Sequence, residues 1–303
     1  MGSSVFNDKK MKIMWDNRYN LGVEEIDKEH QRLFAIIRKI VGLVENGEER
    51  KAQHACREGV KFFKNYTIIH FAHEENFMSS LNYGGYERHK KIHDDLKKKI
   101  LPAMEEELEK NNYDAESVRH FLGICTAWLT THIKVEDQAI LNREAGKRMQ
   151  VEAGSLELRF EKALLKIVHE MYDLEIEPIS EHYTGWDFGR SIFHELIFAD
   201  EKGEITHIIF ALEQKLIFSL AQKQLGIEAD KMNAFLLGAV KEILRGLGNQ
   251  IGFYLQLEDQ FKSRSGVMLS TGEIAEIFNK RTIHYSKLFR TDMGKFACSV
   301  YTR

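Results

Sequence analysis

The sequence predicts two parts of different architecture, an all-α up-and-down four-helix bundle followed by an α+β domain. Three observations support this prediction. Apolar residues recur with helical spacing through the first half, turn residues interrupt that pattern at three places, and β-rich runs follow Pro178. A chain of 303 residues is also long enough for two domains, which we place at residues 1–148 and 149–303.

The first half contains four predicted helices with short connections. They lie near residues 24–45, 50–80, 86–110 and 115–147. The connecting turns are Asn46-Gly47-Glu48, Asn82-Tyr83-Gly84-Gly85 and Asn111-Asn112-Tyr113-Asp114. Pro102 lies inside the third helix and predicts a kink, because proline removes a backbone hydrogen bond. The fourth helix is expected to run on towards Gly154-Ser155.

The second half alternates helical and strand-like segments. Helices are predicted near residues 156–172, 212–225 and 230–255. A hairpin is predicted from the β-rich runs 191–198 and 206–211, which the charged turn 200–203 separates. Two final strands are predicted near 264–270 and 284–302. This mixture predicts an α+β domain of about 150 residues.

Seven ionisable residues share an unusual property, since each lies on the apolar face of a predicted helix. They are His30, His70, Glu74, His89, His93, His132 and Asp137. Two pairs are four residues apart and therefore stack on one helix face. Asp137 follows His132 by five residues and reaches the same side if the helix bends or the carboxylate leans back.

A metal explains this set better than ordinary packing does. Any one such histidine is more often a core or surface residue than a ligand. Burying seven ionisable groups is unfavourable unless something neutralises them, and a metal does so directly. Facing helices that contribute imidazoles and carboxylates are the usual construction of a di-iron site in a bundle. The remaining histidines are expected to be ordinary, with His73 facing solvent or lying in an outer layer around the site.

Residues 12 to about 145 resemble a bacterial hemerythrin. The matching features are Trp15, Leu21-Gly22-Val23, Ile26-Asp27, His30, His70-Phe71, Glu74-Glu75, Met78, His89, His93, His132 and Asp137. The resemblance implies two non-haem irons joined by an oxo or hydroxo bridge. It also implies that His89, His93 and His132 hold one iron, that His30 and His70 hold the other, and that Glu74 and Asp137 bridge them.

The resemblance further implies dioxygen as the ligand. The iron with only two imidazoles would keep an open coordination position, as sites that bind small molecules do. Apolar walls from Leu33, Phe34 and Phe77 are expected to keep water away from it. An imidazole-rich set also argues against a di-iron oxidase or a nitric-oxide-handling enzyme, whose sites carry more carboxylates.

Residues 156–303 are similar to the CheX/CheC family of chemotaxis phosphatases, and to CheX more than CheC. The matching features are the order of elements, Leu225-Gly226, Ala239-Val240-Lys241-Glu242-Ile243 and Phe289-Arg290-Thr291-Asp292-Met293-Gly294-Lys295-Phe296. That family hydrolyses the phospho-aspartate of a CheY-like response regulator with a glutamate and an asparagine three residues apart. Glu242 matches the glutamate, but Arg245 stands at the asparagine position, and arginine cannot accept a hydrogen bond from water.

Two interpretations of Glu242 and Arg245 therefore remain beside an aspartyl-phosphate phosphatase. The pair is an exposed ion pair of little energetic value, or it binds an acidic partner without catalysis. Residues Gly246-Leu247-Gly248 lack the ending of a phosphate-binding loop and are expected to permit close helix packing.

Composition excludes several classes of function. The net charge is −3 with both signs spread along the chain, which argues against nucleic acid or an anionic membrane as partner. The sequence shows neither a signal peptide nor an apolar run of roughly 18 residues that could span a membrane. Cys56, Cys125 and Cys298 form no Cys-x-x-Cys pair, so they are expected to be reduced, packed thiols in a cytoplasm.

Together these features predict a cytoplasmic oxygen or redox sensor. Oxygen binding or oxidation at the irons would act on the CheX-like part, which would act in turn on a CheY-like response regulator. Two alternatives stay open, namely an oxygen carrier or storage protein whose second domain only dimerises, and an active phosphatase. A homodimer through the second domain is expected, because its exposed edge strands permit pairing.

Overall fold

The computed structural model describes most of the chain. The described residues are 13, 15–46, 49–141, 155–186, 188–199, 204–255 and 262–302. The predicted end of the fourth helix and the predicted boundary at 148/149 lie outside them, as does the hairpin turn at 200–203.

The first part is a bundle of four long helical segments. Its α-helices are α1 (Glu24–Asn46), α2 (Glu49–Ser80), α3 (Tyr86–Asp95), α4 (Leu101–Lys110), α5 (Ala115–His132) and α6 (Gln138–Leu141). Two π-helical turns, π1 (Leu96–Ile100) and π2 (Ile133–Asp137), join α3 to α4 and α5 to α6. A 3₁₀ turn at Asn17–Tyr19 precedes α1. The four predicted helices are therefore confirmed within the described residues.

Local chemistry explains the ends and the irregularity of these helices. The carboxylate of Asp114 accepts a hydrogen bond from the backbone N–H of Ser117 and so caps α5. The predicted disturbance at Pro102 takes the form of π1, which ends just before it. Pro102 then falls in the first turn of α4, where a missing amide hydrogen is tolerated.

The second part is one six-stranded antiparallel sheet with helices packed on it. Its strands are β1 (Ile176–Ser180), β2 (Ser191–Ala199), β3 (Ile205–Glu213), β4 (Lys262–Leu269), β5 (Ile283–Thr291) and β6 (Lys295–Thr302), in the order β1-β5-β6-β3-β2-β4. Its helices are α7 (Leu156–Tyr172), α8 (Gln214–Leu225), α9 (Ala234–Tyr254) and α10 (Thr271–Lys280). The predicted α+β class is confirmed.

The predicted β2–β3 hairpin is confirmed, whereas other elements differ from prediction. β3 extends to Glu213, so α8 starts two residues later than expected, and α9 starts after its cap Asn233 rather than at residue 230. The single strand predicted over 284–302 is two strands around a turn in which Thr291 N–H donates to Gly294 O. β1 and α10 were not predicted.

One apolar core runs from the bundle into the second part. Phe121 and Leu122 of α5 belong to the same buried cluster as Phe235 and Leu236 of α9. A further cluster lies between α7, α8, α9 and the sheet, and a smaller one lies beneath α10. Helix α9 therefore packs on the bundle as well as on its own sheet.

Helices α5 and α9 approach each other to backbone contact at two glycines. A Cβ atom at Gly123 would lie 2.0 Å from the carbonyl oxygen of Phe235. A Cβ atom at Gly238 would lie 2.4 Å from the carbonyl oxygen of His120. Only glycine fits at these positions without moving a helix. The predicted close packing at Gly248 is present too, but against Leu196 and Phe198 of the sheet.

Cations of the bundle bind the ends of two helices of the second part. Arg18 donates to the carbonyl oxygen of Lys223 near the end of α8, and Lys134 donates to that of Met171 near the end of α7. The last carbonyls of a helix have no partner within it and carry partial negative charge. These bonds therefore add to the contact between the two parts.

Candidate metal centre

The bundle brings all seven predicted residues together in its interior. His30 lies on α1, His70 and Glu74 on α2, His89 and His93 on α3, His132 on α5 and Asp137 on π2. Their exposed fractions lie between 0% and 3%. Four helical segments thus contribute ionisable side chains to one buried cluster.

The π-helical turn explains how Asp137 joins His132. In an α-helix, residues five apart point about 140° from each other. The wider π turn, whose hydrogen bonds join residues five apart, brings both to the same side. His132 Nε2 consequently lies 3.0 Å from Asp137 Oδ1. The expected bend of this helix therefore takes the form of a π turn.

Three imidazoles converge at one end of the cluster. His89 Nε2 and His93 Nε2 lie 3.1 Å and 3.0 Å from His132 Nε2. Two nitrogen ligands about 2.1 Å from one ion, at right angles, are about 3 Å apart, so this spacing suits a common ion. Glu74 Oε2 lies 3.0 Å from His93 Nε2.

Two imidazoles form the other end, and the carboxylates lie between the ends. Ligand atoms of His30, His70 and Glu74 lie within 4.8 Å of one another, and Glu74 also belongs to the three-imidazole group. Asp137 Oδ2 lies 3.3 Å from His30 Nε2, while its Oδ1 faces His132. Each carboxylate therefore lies between the two groups of imidazoles.

Many buried polar atoms of the cluster have no hydrogen-bond partner among the described residues. They are His30 Nδ1 and Nε2, His70 Nε2, both carboxylate oxygens of Glu74 and of Asp137, His89 Nδ1 and His132 Nδ1. Buried polar atoms without partners are unfavourable, and a bound cation would satisfy those that face the cluster, which are His30 Nε2, His70 Nε2 and the four carboxylate oxygens. The donor set of imidazoles and carboxylates can hold metal ions.

The charge state of the cluster suits a cation. Burial raises the pKa of Glu74 and Asp137, but neighbouring histidines outweigh burial and hold both pKa values well below their usual range. Burial lowers the pKa of His93 to about 4. The two carboxylates are thus anionic and His93 is neutral, which are the forms that bind metals. Despite burial, the same carboxylates raise the pKa of His132 to about 10 and also raise that of His89, so both rings would release a proton to a bound cation.

Comparison with known proteins decides the family of the bundle. Residues 21–143 match the family model of the Hemerythrin HHE cation binding domain. Myohemerythrin from Riftia pachyptila is 31% identical over 121 residues, which are 40% of this chain and 84% of that protein. The chain belongs to the hemerythrin family. Bacteriohemerythrin from Clostridium acetobutylicum is 27% identical over 131 residues, which are 43% of this chain and 99% of that protein.

The second part is similar to solved chemotaxis proteins. Chemotaxis protein CheX from Vibrio vulnificus is 14% identical, with a TM-score of 0.39, over 50% of this chain and 99% of that chain. CheX in a CheX–CheY–BeF3–Mg complex from Borrelia burgdorferi is 13% identical, with a TM-score of 0.39, over 48% of this chain and 96% of that chain.

Two glutamates orient imidazoles of the hemerythrin bundle. Glu29 Oε2 lies 2.9 Å from His70 Nδ1, and Glu75 Oε1 lies 3.1 Å from His93 Nδ1. Carboxylates at Nδ1 fix the ring so that Nε2 points into the cluster. Glu29 also binds His73, which is exposed, so His73 both faces solvent and belongs to the outer layer, as expected. Glu75 entered the sequence analysis only as part of the hemerythrin resemblance, and neither glutamate was given a role there.

Aromatic rings close around the hemerythrin site. Phe71 stacks on His93 with ring centroids 3.9 Å apart, and Trp128 stacks on His132 at 4.3 Å. Of the predicted walls, Leu33 and Phe34 are fully buried and Phe77 is partly exposed. Phe71 and Trp128 were not predicted as wall residues, because an apolar position on α2 or α5 does not by itself distinguish the wall of the site from the core.

The predicted pair of Glu242 and Arg245 forms, but it is not exposed. Arg245 Nε donates to Glu242 Oε2 at 2.8 Å, and only 6% of Glu242 is exposed. The negative charge of Glu242 adds to burial in raising the pKa of the Cys125 thiol on α5. The interpretation as an exposed ion pair is therefore wrong, because α9 turns this face towards the hemerythrin bundle.

Other sequence-based expectations concern cysteines and membranes. Cys56, Cys125 and Cys298 are buried free thiols, as predicted. Within the part of the chain that the structure describes, no helix has the length and apolarity needed to cross a bilayer.

Proposed function

We propose that this protein is a cytoplasmic oxygen or redox sensor with a di-iron centre in its hemerythrin bundle. The observation that carries the proposal is the ligand geometry. Two groups of buried imidazoles share Glu74 and Asp137, and the ligand atoms lack other partners within the described residues. His89, His93 and His132 are the proposed ligands of one iron, and His30 and His70 those of the other.

Bound there, two iron ions would supply the electrons and the coordination position with which dioxygen is bound. The unequal number of imidazoles leaves more room on the His30–His70 side, which favours an open position there. Phe34, Phe71 and Trp128 exclude water, while Glu29 and Glu75 hold two imidazoles in place. These side chains support binding of a small apolar ligand.

Signal transfer requires that the ligand distinguish two conformations of the whole chain. The shared core between α5 and α9 supports such coupling, because a shift of α5 cannot leave α9 in place. The proposed output is an effect of residues 155–302 on a CheY-like response regulator. This proposal rests on the CheX-like order of elements in the second part and not on Glu242, which is buried. A homodimer through the second part is also proposed, because the edge strands of its sheet, β1 and β4, could pair with a second copy.

Anaerobic reconstitution with ferrous iron tests the metal centre. We expect two irons per chain and an optical band, present with oxygen, that disappears when oxygen is removed. His70→Ala should lose about one iron, whereas His73→Ala, an exposed neighbour on the same helix, should keep both. Absence of stoichiometric iron from the wild-type chain would refute the proposed site.

Hydrogen exchange of residues 155–302, with and without oxygen, tests the sensor. A change in exchange of α9 on oxygen binding is expected. Equal exchange in both states would contradict signal transfer and favour oxygen carriage or storage, with the second part serving dimerisation.

Phosphatase activity is the remaining alternative, and the burial of Glu242 bears on it. A glutamate held by Arg245 and covered by the bundle is not free to meet a partner. Loss of phosphate from a phosphorylated response regulator should therefore proceed at the same rate with the wild-type chain and with Glu242→Ala. Faster loss with the wild-type chain would establish the activity.

A further inference from the structure

Two proposed metal ligands have chain neighbours that point towards the second part. Arg88 precedes His89 on α3, and Glu136 precedes Asp137 on π2. The guanidinium of Arg88 binds both carboxylate oxygens of Glu136, with Nη2 donating to Oε1 at 2.8 Å. This bidentate pair links two segments that each carry a ligand.

Two side chains of helix α9, in the second part, contact this pair. The side-chain amide of Gln250 donates from Nε2 to Glu136 Oε1. Its Oε1 accepts from Arg88 Nη2 at 3.3 Å. Phe253, one turn further along α9, lies beneath Arg88 with the guanidinium carbon 4.0 Å from the ring centroid. Gln250 thus uses both its donor and its acceptor on the pair.

Burial makes these contacts strong constraints on geometry. Glu136 is 4% exposed and Gln250 is 8% exposed. The Arg88 side chain is 33% exposed, but the buried carboxylate of Glu136 would be left with an unsatisfied oxygen if it lost Gln250, which is unfavourable in a medium of low dielectric. Arg88 and Glu136 therefore keep their positions only while α9 keeps its own.

We propose that Gln250 is a positioning residue of the metal centre, so that the second part completes the outer layer of a site whose ligands all lie in the bundle. This inference rests on the proposed di-iron site. Because His89 and Asp137 are rigidly attached to Arg88 and Glu136, α9 holds both ligands in place. Linkage then requires that metal binding fix α9 by the same free energy with which α9 strengthens metal binding.

Metal affinity of the full chain tests this assignment. Gln250→Met keeps the volume of the side chain but removes both hydrogen bonds, and Asn249→Ala alters the exposed neighbour on the same helix. The probe is ferrous iron alone, measured anaerobically by competition with a chelator. We expect about fivefold weaker binding by Gln250→Met, at the lower end of typical coupling between sites, and unchanged binding by Asn249→Ala.

Hydrogen exchange provides the second readout. Iron should slow exchange in α9 of the wild-type chain and of Asn249→Ala, and should slow it less in Gln250→Met. If Gln250→Met does not fold, Phe253→Leu removes only the ring beneath Arg88 and should weaken iron binding in the same direction.

Equal iron affinity of wild type and a folded Gln250→Met would overturn the inference. That result is distinct from failure of the sensor proposal, which is measured by the response to oxygen. A wild-type chain that binds two irons but shows no oxygen-dependent change would leave the role of Gln250 intact.

Discussion

Replacing Gly123 by alanine tests whether the bundle and α9 are held in backbone contact. The added Cβ would lie 2.0 Å from the carbonyl oxygen of Phe235 and 2.8 Å from its carbonyl carbon. An ordinary carbon–oxygen contact is about 3.3 Å, so the helices must separate by roughly 1.3 Å. Neither neighbouring atom is the mobile end of a side chain, and the backbone itself has to move.

The expected loss of stability follows from this separation. A gap of about 0.5–1 Å already forfeits a quarter to a half of the dispersion attraction between the facing atoms. Overpacking of this kind lowers the free energy of unfolding by roughly 3 kcal/mol, at the upper end of its usual range. Alanine regains about 1 kcal/mol through its higher helix propensity. The free energy of unfolding of Gly123→Ala is therefore expected to be about 2 kcal/mol lower than that of the wild type.

Gly252→Ala is the matched control, because it lies on α9 and no atom lies within 4 Å of the added Cβ. It should raise the free energy of unfolding by about 0.5–1 kcal/mol. Urea unfolding of the metal-free full chain, followed by tryptophan fluorescence and circular dichroism, measures both variants. A Gly123→Ala chain that unfolds at the wild-type urea concentration or above would refute the backbone contact.

Three further predictions concern single side chains. Burial lowers the pKa of His194 to about 4 from its usual 6.5, so the unfolded chain binds a proton that the folded chain does not between these values. As the pH falls from 6.5 to 4, the free energy of unfolding of the wild type should therefore fall by about 3 kcal/mol more than that of His194→Gln, as measured by urea unfolding. Parallel pH profiles of the two proteins would contradict this expectation. Burial raises the pKa of the Cys125 and Cys298 thiols well above the usual value, so iodoacetamide at pH 8 should label them only after unfolding. Glu29→Gln should weaken iron binding about 10–100-fold in chelator competition, whereas wild-type affinity would mean that its bond to His70 does not position the ligand.

Long-range contacts explain what sequence analysis missed in the fold. β1 contains Pro178, which argues against a strand, yet its pairing with β5 more than a hundred residues later supplies the hydrogen bonds. α10 is a short helix whose capping box, Ser270 with Glu273, is its main local signal. It lies between β4 and β5, and the β-rich composition of this region favoured strands over a helix in the sequence analysis.

The sequence alone determined the four helices of the bundle and which seven side chains converge within it. Both depend on the period of one helix, since an apolar face and residues four apart are local properties. The family resemblance rests on the same residues. Sequence analysis therefore predicted correctly those features that depend on the spacing of residues along a single helix.

Only the tertiary structure decided how the site is supported and how the two parts meet. Glu29 and Glu75 adjoin ligands in the chain, but a neighbouring residue on a helix points elsewhere, and its partner lies on another helix. Gln250 reaches Glu136 across 114 residues of chain. The buried state of Glu242 likewise depends on the packing of α9 against α5. These contacts are set by which surfaces pack together, and no local period encodes that choice.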